Sequence, residues 1–152
     1  EAMKQLYIFD LDGTLALNKH REHLISKDRE GGPDWDAFFL ACGRDEPNDP
    51  VILTMRRIQH GFADVWIWSG RSDIAIVQTA AWLTNNHIYP DDLKMREQGD
   101  YTPDDELKKQ WLDALSDEDW ARLVCVFDDR KKVVDMWRSN GVACFQVAPG
   151  DF

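Results

Sequence analysis

Five short apolar runs punctuate this chain, at Leu6–Phe9, Ala63–Trp68, Leu93–Met95, Leu123–Phe127 and Val142–Val147. Helix-period segments fall between them at about 51–60, 73–86, 103–115 and 130–140. Runs of this length read as strands, and strands alternating with helices argue for a parallel sheet covered by helices on both faces. Val65-Trp66-Ile67-Trp68 shows no polar alternation, as expected of a strand buried on both sides. The predicted fold is therefore α/β, in three layers. Residues 15–50, with Gly31-Gly32-Pro33 and the polar stretch from Gly43 to Pro50, are too short for a second domain. They read as a small helical flap, or cap, inserted after the first strand, with one helix around Trp35–Cys42.

The 152 residues suit a single domain, 1–152, and 43% hydrophobic content with seven Trp suits a packed core. Glu1-Ala2-Met3 reads as an expression remnant around a native start. No apolar stretch approaches the ~20 residues that span a membrane, and no signal-peptide pattern is present. Cys42, Cys125 and Cys144 lack close spacing and read as small buried hydrophobes in a reducing, cytoplasmic setting. His20, His23, His60 and His87 lack metal-ligand spacing and read as structural or surface residues. The net charge of −10 excludes a broad basic face wrapping nucleic acid, although a few convergent arginines can still grip one phosphate or a chain end.

Chemistry concentrates at strand ends. The first run delivers Asp10-Leu11-Asp12-Gly13-Thr14, two carboxylates two residues apart ahead of a Gly-Thr turn. Alternation along an extended chain sends both the same way. Two like charges ~4 Å apart repel by roughly 4 kcal/mol at an effective dielectric of ~20, about three pKa units. A divalent metal, a retained proton, or both, relieve that repulsion. The second run ends in Ser69-Gly70-Arg71, the third in Arg96 and the fourth in Asp128-Asp129-Arg130. Open parallel sheets bind ligands at the carboxyl ends of their strands, where these clusters fall.

A lysine can be placed by helix geometry. Leu107, Trp111, Leu112 and Leu115 define an apolar face, and Lys108 lies roughly 35° from its centre against roughly 135° for Lys109. Lys108 is predicted to point inward and Lys109 outward. Asp104, one turn earlier, falls on the same face and is predicted to pair with Lys108.

Asp10-Leu11-Asp12-Gly13-Thr14, Ser69, Lys108 and Asp128-Asp129 resemble, in order, the four motifs of the haloacid dehalogenase superfamily of phosphotransferases, whose Rossmann-like fold is the expected one. A narrower resemblance covers Arg96-Glu97-Gln98-Gly99-Asp100, Asp104-Asp105, Asp128-Asp129-Arg130, Met136-Trp137-Arg138, Gln146-Val147-Ala148 and Gly150-Asp151-Phe152. These are similar to the 3′-phosphatase domain of bacteriophage T4-type polynucleotide kinase/phosphatase, and Arg21 matches an arginine of that domain. The kinase half is not in this chain, since no Gly-x4-Gly-Lys-Ser/Thr loop occurs.

The resemblance implies a Mg²⁺-dependent phosphomonoesterase that removes the 3′-phosphate of polynucleotide ends through an aspartyl-phosphate, in nucleic-acid end repair. It implies Asp10 as nucleophile, Asp12 as general acid and base, and Ser69, Gly70 and Lys108 as phosphate holders. Mg²⁺ is expected on Asp10, the Asp12 backbone carbonyl and one of Asp128 and Asp129, and Arg21, Arg71, Arg96 and Arg130 are expected to grip the substrate. The implied location is cytoplasmic, in the host cell if the protein is phage-encoded. Action on free nucleotides or other small phosphomonoesters is the alternative, and a non-catalytic module binding phosphorylated ends is a third reading. DNA or RNA preference and self-association stay open; Trp111, Trp120 and Trp137 serve an interface as readily as a core.

Overall fold

The computed structural model describes residues 3–152, so the reading of Glu1-Ala2-Met3 lies mostly outside the described residues. Strand β1 (Gln5–Phe9) is followed by β2 (Ala16–Leu17), α1 (Trp35–Leu40), β3 (Glu46–Pro47), α2 (Asp49–His60) and β4 (Ala63–Ser72). The second half runs α3 (Ile76–Asn85), β5 (Asp92–Arg96), α4 (Asp104–Asp113), α5 (Asp117–Arg122), β6 (Leu123–Asp128), α6 (Lys131–Ser139) and β7 (Cys144–Gln146). Five strands form one parallel sheet in the order β5-β4-β1-β6-β7, with β1 at the centre between β4 and β6. The carboxyl ends of β1, β4, β5 and β6 therefore meet at one edge.

Alternation sorts the core onto the two faces. Phe9, Val65 and Ile67 pack against Ile52 and Met55 of α2 and Trp82 and Leu83 of α3. Leu6, Ile8, Trp68 and Val126 face the other way, against Leu112 of α4 and Val133, Val134 and Trp137 of α6. Burying each such side chain stabilises the fold by about 1.5–3 kcal/mol. Trp137 belongs to this core and Trp111 packs edge-on to Trp68, whereas Trp120 is exposed. Among the described residues no helix is long and apolar enough to cross a membrane.

Several boundaries move for local reasons. β4 runs on to Ser72 because its pairing with β5 continues past an irregularity between Ser69 and Ser72. The segment expected as one helix over 73–86 opens with a 3-10 turn at Asp73–Ala75, where the Ser72 hydroxyl accepts the Ile74 amide. The helix expected over 103–115 stops at Asp113, and Ser116 starts the unforeseen α5 by accepting the Asp119 amide. The last strand is Cys144–Gln146, shorter than the apolar run that signals it.

The flap contains a 3-10 helix at Lys19–Ile25, then α1, capped by the Asp34 carboxylate on the Ala37 amide, then a 3-10 turn at Ala41–Arg44. The antiparallel ribbon β2–β3 ties its two ends together.

Candidate active site

Asp10 and Asp12 leave the tip of β1 into two different electrostatic settings. Asp10 enters an acid-rich one. Lys108 is buried and points inward, its ammonium 2.8 Å from Asp10 Oδ1 and 3.1 Å from Asp128 Oδ2. Lys109 faces out to Asp113. Both orientations follow the helix-face argument. Asp128 is further held by the amides of Asp129 and Arg130 at Oδ1 and by the Trp137 indole N–H at Oδ2. The Thr14 hydroxyl sits between Asp10 Oδ2, at 3.2 Å, and Asp129 Oδ1, at 3.4 Å. Gly13 has φ of +80°, and a Cβ there would collide with the Asp129 carboxylate, so this glycine lets Asp129 approach β1.

Asp10, Asp128 and Asp129 each offer a carboxylate oxygen, all within 4.8 Å of one another. Burial, then the charge of Asp128, pushes the Asp10 carboxyl well above its ordinary range against the opposing pull of Lys108. Burial likewise lifts Asp129 to about 6. Burial disfavours the Lys108 ammonium, but Asp10 and Asp128 outweigh it and keep the lysine charged. Three buried carboxylates around one ammonium are short of positive charge. Oxygen donors in this arrangement fit a hard divalent cation such as Mg²⁺. The Asp12 carboxylate takes no part in this cluster.

Asp12 enters an arginine-rich setting. Arg21 and Arg71 both donate to Asp12 Oδ1, at 2.5 and 2.6 Å, and Arg71 Nε reaches Oδ2 at 3.3 Å. Burial raises the Asp12 carboxyl, but the two guanidiniums bring it down to about 2. Behind them lies Asp45 on the flap, accepting Arg21 at 2.7 and 2.8 Å and Arg71 at 3.4 Å. The ring of His20 lies 2.7 Å from the same carboxylate. Arg21 also donates to the Phe38 carbonyl and lies over the Phe38 ring, and Arg71 donates to the Thr79 hydroxyl.

Asp45 and the contact of His20 with it are absent from the sequence-based set. Asp45 sits in a polar stretch with no periodicity; the available signal is arithmetic, since two inward arginines and one aspartate leave a charge unbalanced.

A third group borders the site. Asp104 does not pair directly with Lys108. Its oxygens accept Arg96 at 2.6 Å and Arg130 at 2.7 Å, arginines from the end of β5 and the start of α6 that helix periodicity does not reveal. Arg96 also donates to the carbonyls of Gly70, Asp100 and Thr102, and Arg130 to the carbonyl of Phe152. A Cβ at Gly70 would meet Asp104 Oδ1 at 2.5 Å, so this glycine leaves room for the Asp104 carboxylate. Ser69 is fully buried, three residues before the end of β4, its hydroxyl accepting the Arg71 amide. The three cysteines are free and buried, and burial lifts the Cys125 and Cys144 thiols to about 11 and about 12.

A family model described as the polynucleotide kinase PNKP phosphatase domain matches residues 4–152. Two structures of the Pnkp1/Rnl/Hen1 RNA repair complex contain a chain similar to this one. Their identities are 30% and 31%, with TM-scores of 0.81 and 0.82, over 98% and 99% of this chain and 44% and 48% of theirs. The chain thus spans about half the length of those relatives. The tungstate-bound class C acid phosphatase of Bacillus anthracis shares the fold, with a TM-score of 0.61 at 15% identity over 87% of this chain and 54% of that one.

Proposed function

This chain belongs to the PNKP phosphatase-domain family of haloacid dehalogenase-type phosphatases, and from that premise we propose that it removes the 3′-phosphate from polynucleotide ends. The observation that carries the reading is the divided strand tip: Asp10 in a cation-seeking cluster beside Lys108, and Asp12 braced by two arginines. Membership of the two similar chains in an RNA repair complex supports a polynucleotide substrate and a role in end repair.

Asp10 attacks phosphorus, the bond to the 3′-oxygen breaks, and Asp12 donates a proton to that oxygen. Water then attacks the aspartyl-phosphate while Asp12 takes its proton, and phosphate leaves. Asp12, held ionised by Arg21 and Arg71, is ready for the second step as it stands. A phosphate dianion arriving beside it raises its proton affinity by like-charge repulsion, and so prepares it as the donor of the first. Ser69, the Gly70 backbone and Lys108 hold the nonbridging oxygens. Asp10, the Asp12 carbonyl and Asp128 or Asp129 would hold Mg²⁺, which would neutralise phosphate charge when bound.

The arginines divide by exposure. Arg21 and Arg71, with side chains 0% and 1% exposed, hold Asp12; Arg96 and Arg130, at 11% and 27%, are the more exposed pair, and their guanidinium forks suit a polynucleotide phosphate.

The test is phosphate release from matched oligonucleotides bearing 3′-, 5′- or 2′,3′-cyclic phosphate, with a 3′-mononucleotide in parallel and EDTA as control. Turnover of the 3′-phosphorylated oligonucleotide, silenced by EDTA and restored by Mg²⁺, is expected. Exclusive turnover of the mononucleotide would move the function to small phosphomonoesters.

A further inference from the structure

The flap carries a cleft that none of Asp10, Asp12, Lys108, Asp128 and Asp129 lines. It has a volume of about 440 Å³, within the ~300–1,000 Å³ of typical ligand sites. Its walls combine Leu24, Leu40 and Ala41 with His20, His23 and Arg44, over the buried Arg21. In a chain with 28 acidic residues and a net charge of −10, no Asp or Glu among the described residues lines it. Arg21 and His20 are held by Asp45, whereas Arg44 and His23 have no acidic partner among the described residues. The cleft is joined to the reaction centre through one side chain: Arg21 borders it and donates to Asp12.

Resting on the proposed 3′-phosphatase reading, we infer that this cleft takes the nucleotide preceding the reactive 3′ end. The one occupant that fits both its chemistry and its place is a phosphodiester-linked nucleotide. Arg44, with hydrogen bonds from His20 and His23, meets the internucleotide phosphate, and Leu24, Leu40 and Ala41 meet the apolar faces of sugar and base. Most phosphate recognition in an otherwise acidic protein must come from such a local cationic patch, because the long-range field repels nucleic acid. The cleft thereby gives the phosphatase a preference for chain ends over free nucleotides.

The test measures kcat and KM on 3′-phosphorylated oligonucleotides of one to six nucleotides, in DNA and RNA form. The wild-type protein is expected to show a KM about tenfold lower once a preceding phosphodiester is present. The double variant Arg44→Ala/His23→Ala is expected to erase that step and leave kcat and the mononucleotide KM unchanged, with Arg44→Lys restoring most of it. The log–log dependence of oligonucleotide affinity on salt should flatten by about 0.7 on losing Arg44, the share of one single-strand phosphate contact. Length dependence that survives in the double variant, or a wild-type KM equal for one and six nucleotides, would overturn the cleft assignment alone. Absence of turnover on every 3′-phosphorylated oligonucleotide, with small phosphomonoesters still hydrolysed, would overturn the underlying reading as well. Melting curves confirm that each variant folds.

Discussion

A single residue separates Asp10 from Asp12, yet the two sides of this strand tip are built on opposite principles. On the Asp10 side three buried carboxylates share one ammonium, and the Asp10 and Asp129 carboxyls are pushed up. On the Asp12 side two carboxylates share two guanidiniums, and Asp12 is brought down to about 2. Identical residue type and near-identical position do not set the charge state; the partners do. The first side is electrostatically incomplete and suited to recruit a cation and a phosphoryl group. The second is balanced as it stands and suited to hold one acid still.

The largest effect should come from the incomplete side. Asp10→Asn is expected to lower turnover of a 3′-phosphorylated oligonucleotide by roughly 10⁴-fold or more, the scale of losing a nucleophile. Because it also removes one of the crowded charges, it should leave the melting temperature of the metal-free protein equal or higher. Full activity in this variant would remove Asp10 as the capturing group. Next, Lys108→Ala should cost roughly 10²–10³-fold in kcat, the range for removing a preorganised donor. Lys109→Ala should stay near wild type, since its pair with Asp113 is a surface one. The opposite order in a steady-state assay would refute the inward placement of Lys108.

On the balanced side the expected signature is stability. Asp45→Asn strips the shared carboxylate from behind Arg21 and Arg71, and breaking one partner of a buried pair costs about 3–5 kcal/mol. Urea unfolding should show that loss; a change below about 0.5 kcal/mol would mean that Asp45 is not structural. The two sides should thus respond in opposite directions to losing a carboxylate charge.

The smallest effect is on pH. Asp129 titrates at about 6 in the fold and near 3.9 unfolded, so between those values the folded protein binds more protons. Stability of the metal-free protein should therefore fall as pH rises from about 4 to 6, with Asp10 acting in the same direction. Asp12 contributes oppositely, but its share is lost only as pH drops below about 4. Scanning calorimetry should show a metal-free protein melting a few °C higher at pH 5 than at pH 7, about 2–4 °C per kcal/mol. Added Mg²⁺ should raise the melting temperature more at pH 7. Equal melting at the two pH values would argue against an unrelieved carboxylate cluster.

Much of the acid-rich side was legible in the sequence because its signals are local. An apolar run ending in Asp-x-Asp-Gly-Thr places Asp10, and a 3.6-residue period turns Lys108 inward. The short runs ending in Ser69 and Asp128 place those residues at the same edge. The balanced side was only half legible. Arg21 and Arg71 could be named, but as substrate grips; their hold on Asp12 and their counter-charge Asp45, on an irregular flap, arise through tertiary packing alone. Asp104 failed for the same reason: its helix position allowed Lys108, but arginines from β5 and α6 reached it first. Secondary-structure periods report which face a side chain takes. They do not report which distant charges share that face.

The most direct measurement is a crystal structure of the protein with Mg²⁺ and beryllofluoride, a mimic of a captured phosphoryl group. Beryllofluoride is expected on an Asp10 carboxylate oxygen beside Lys108, with a cation shared with Asp128 or Asp129 and Asp12 still clasped by Arg21 and Arg71. Beryllofluoride on another residue, or a cation bound away from the Asp10 cluster, would contradict that expectation.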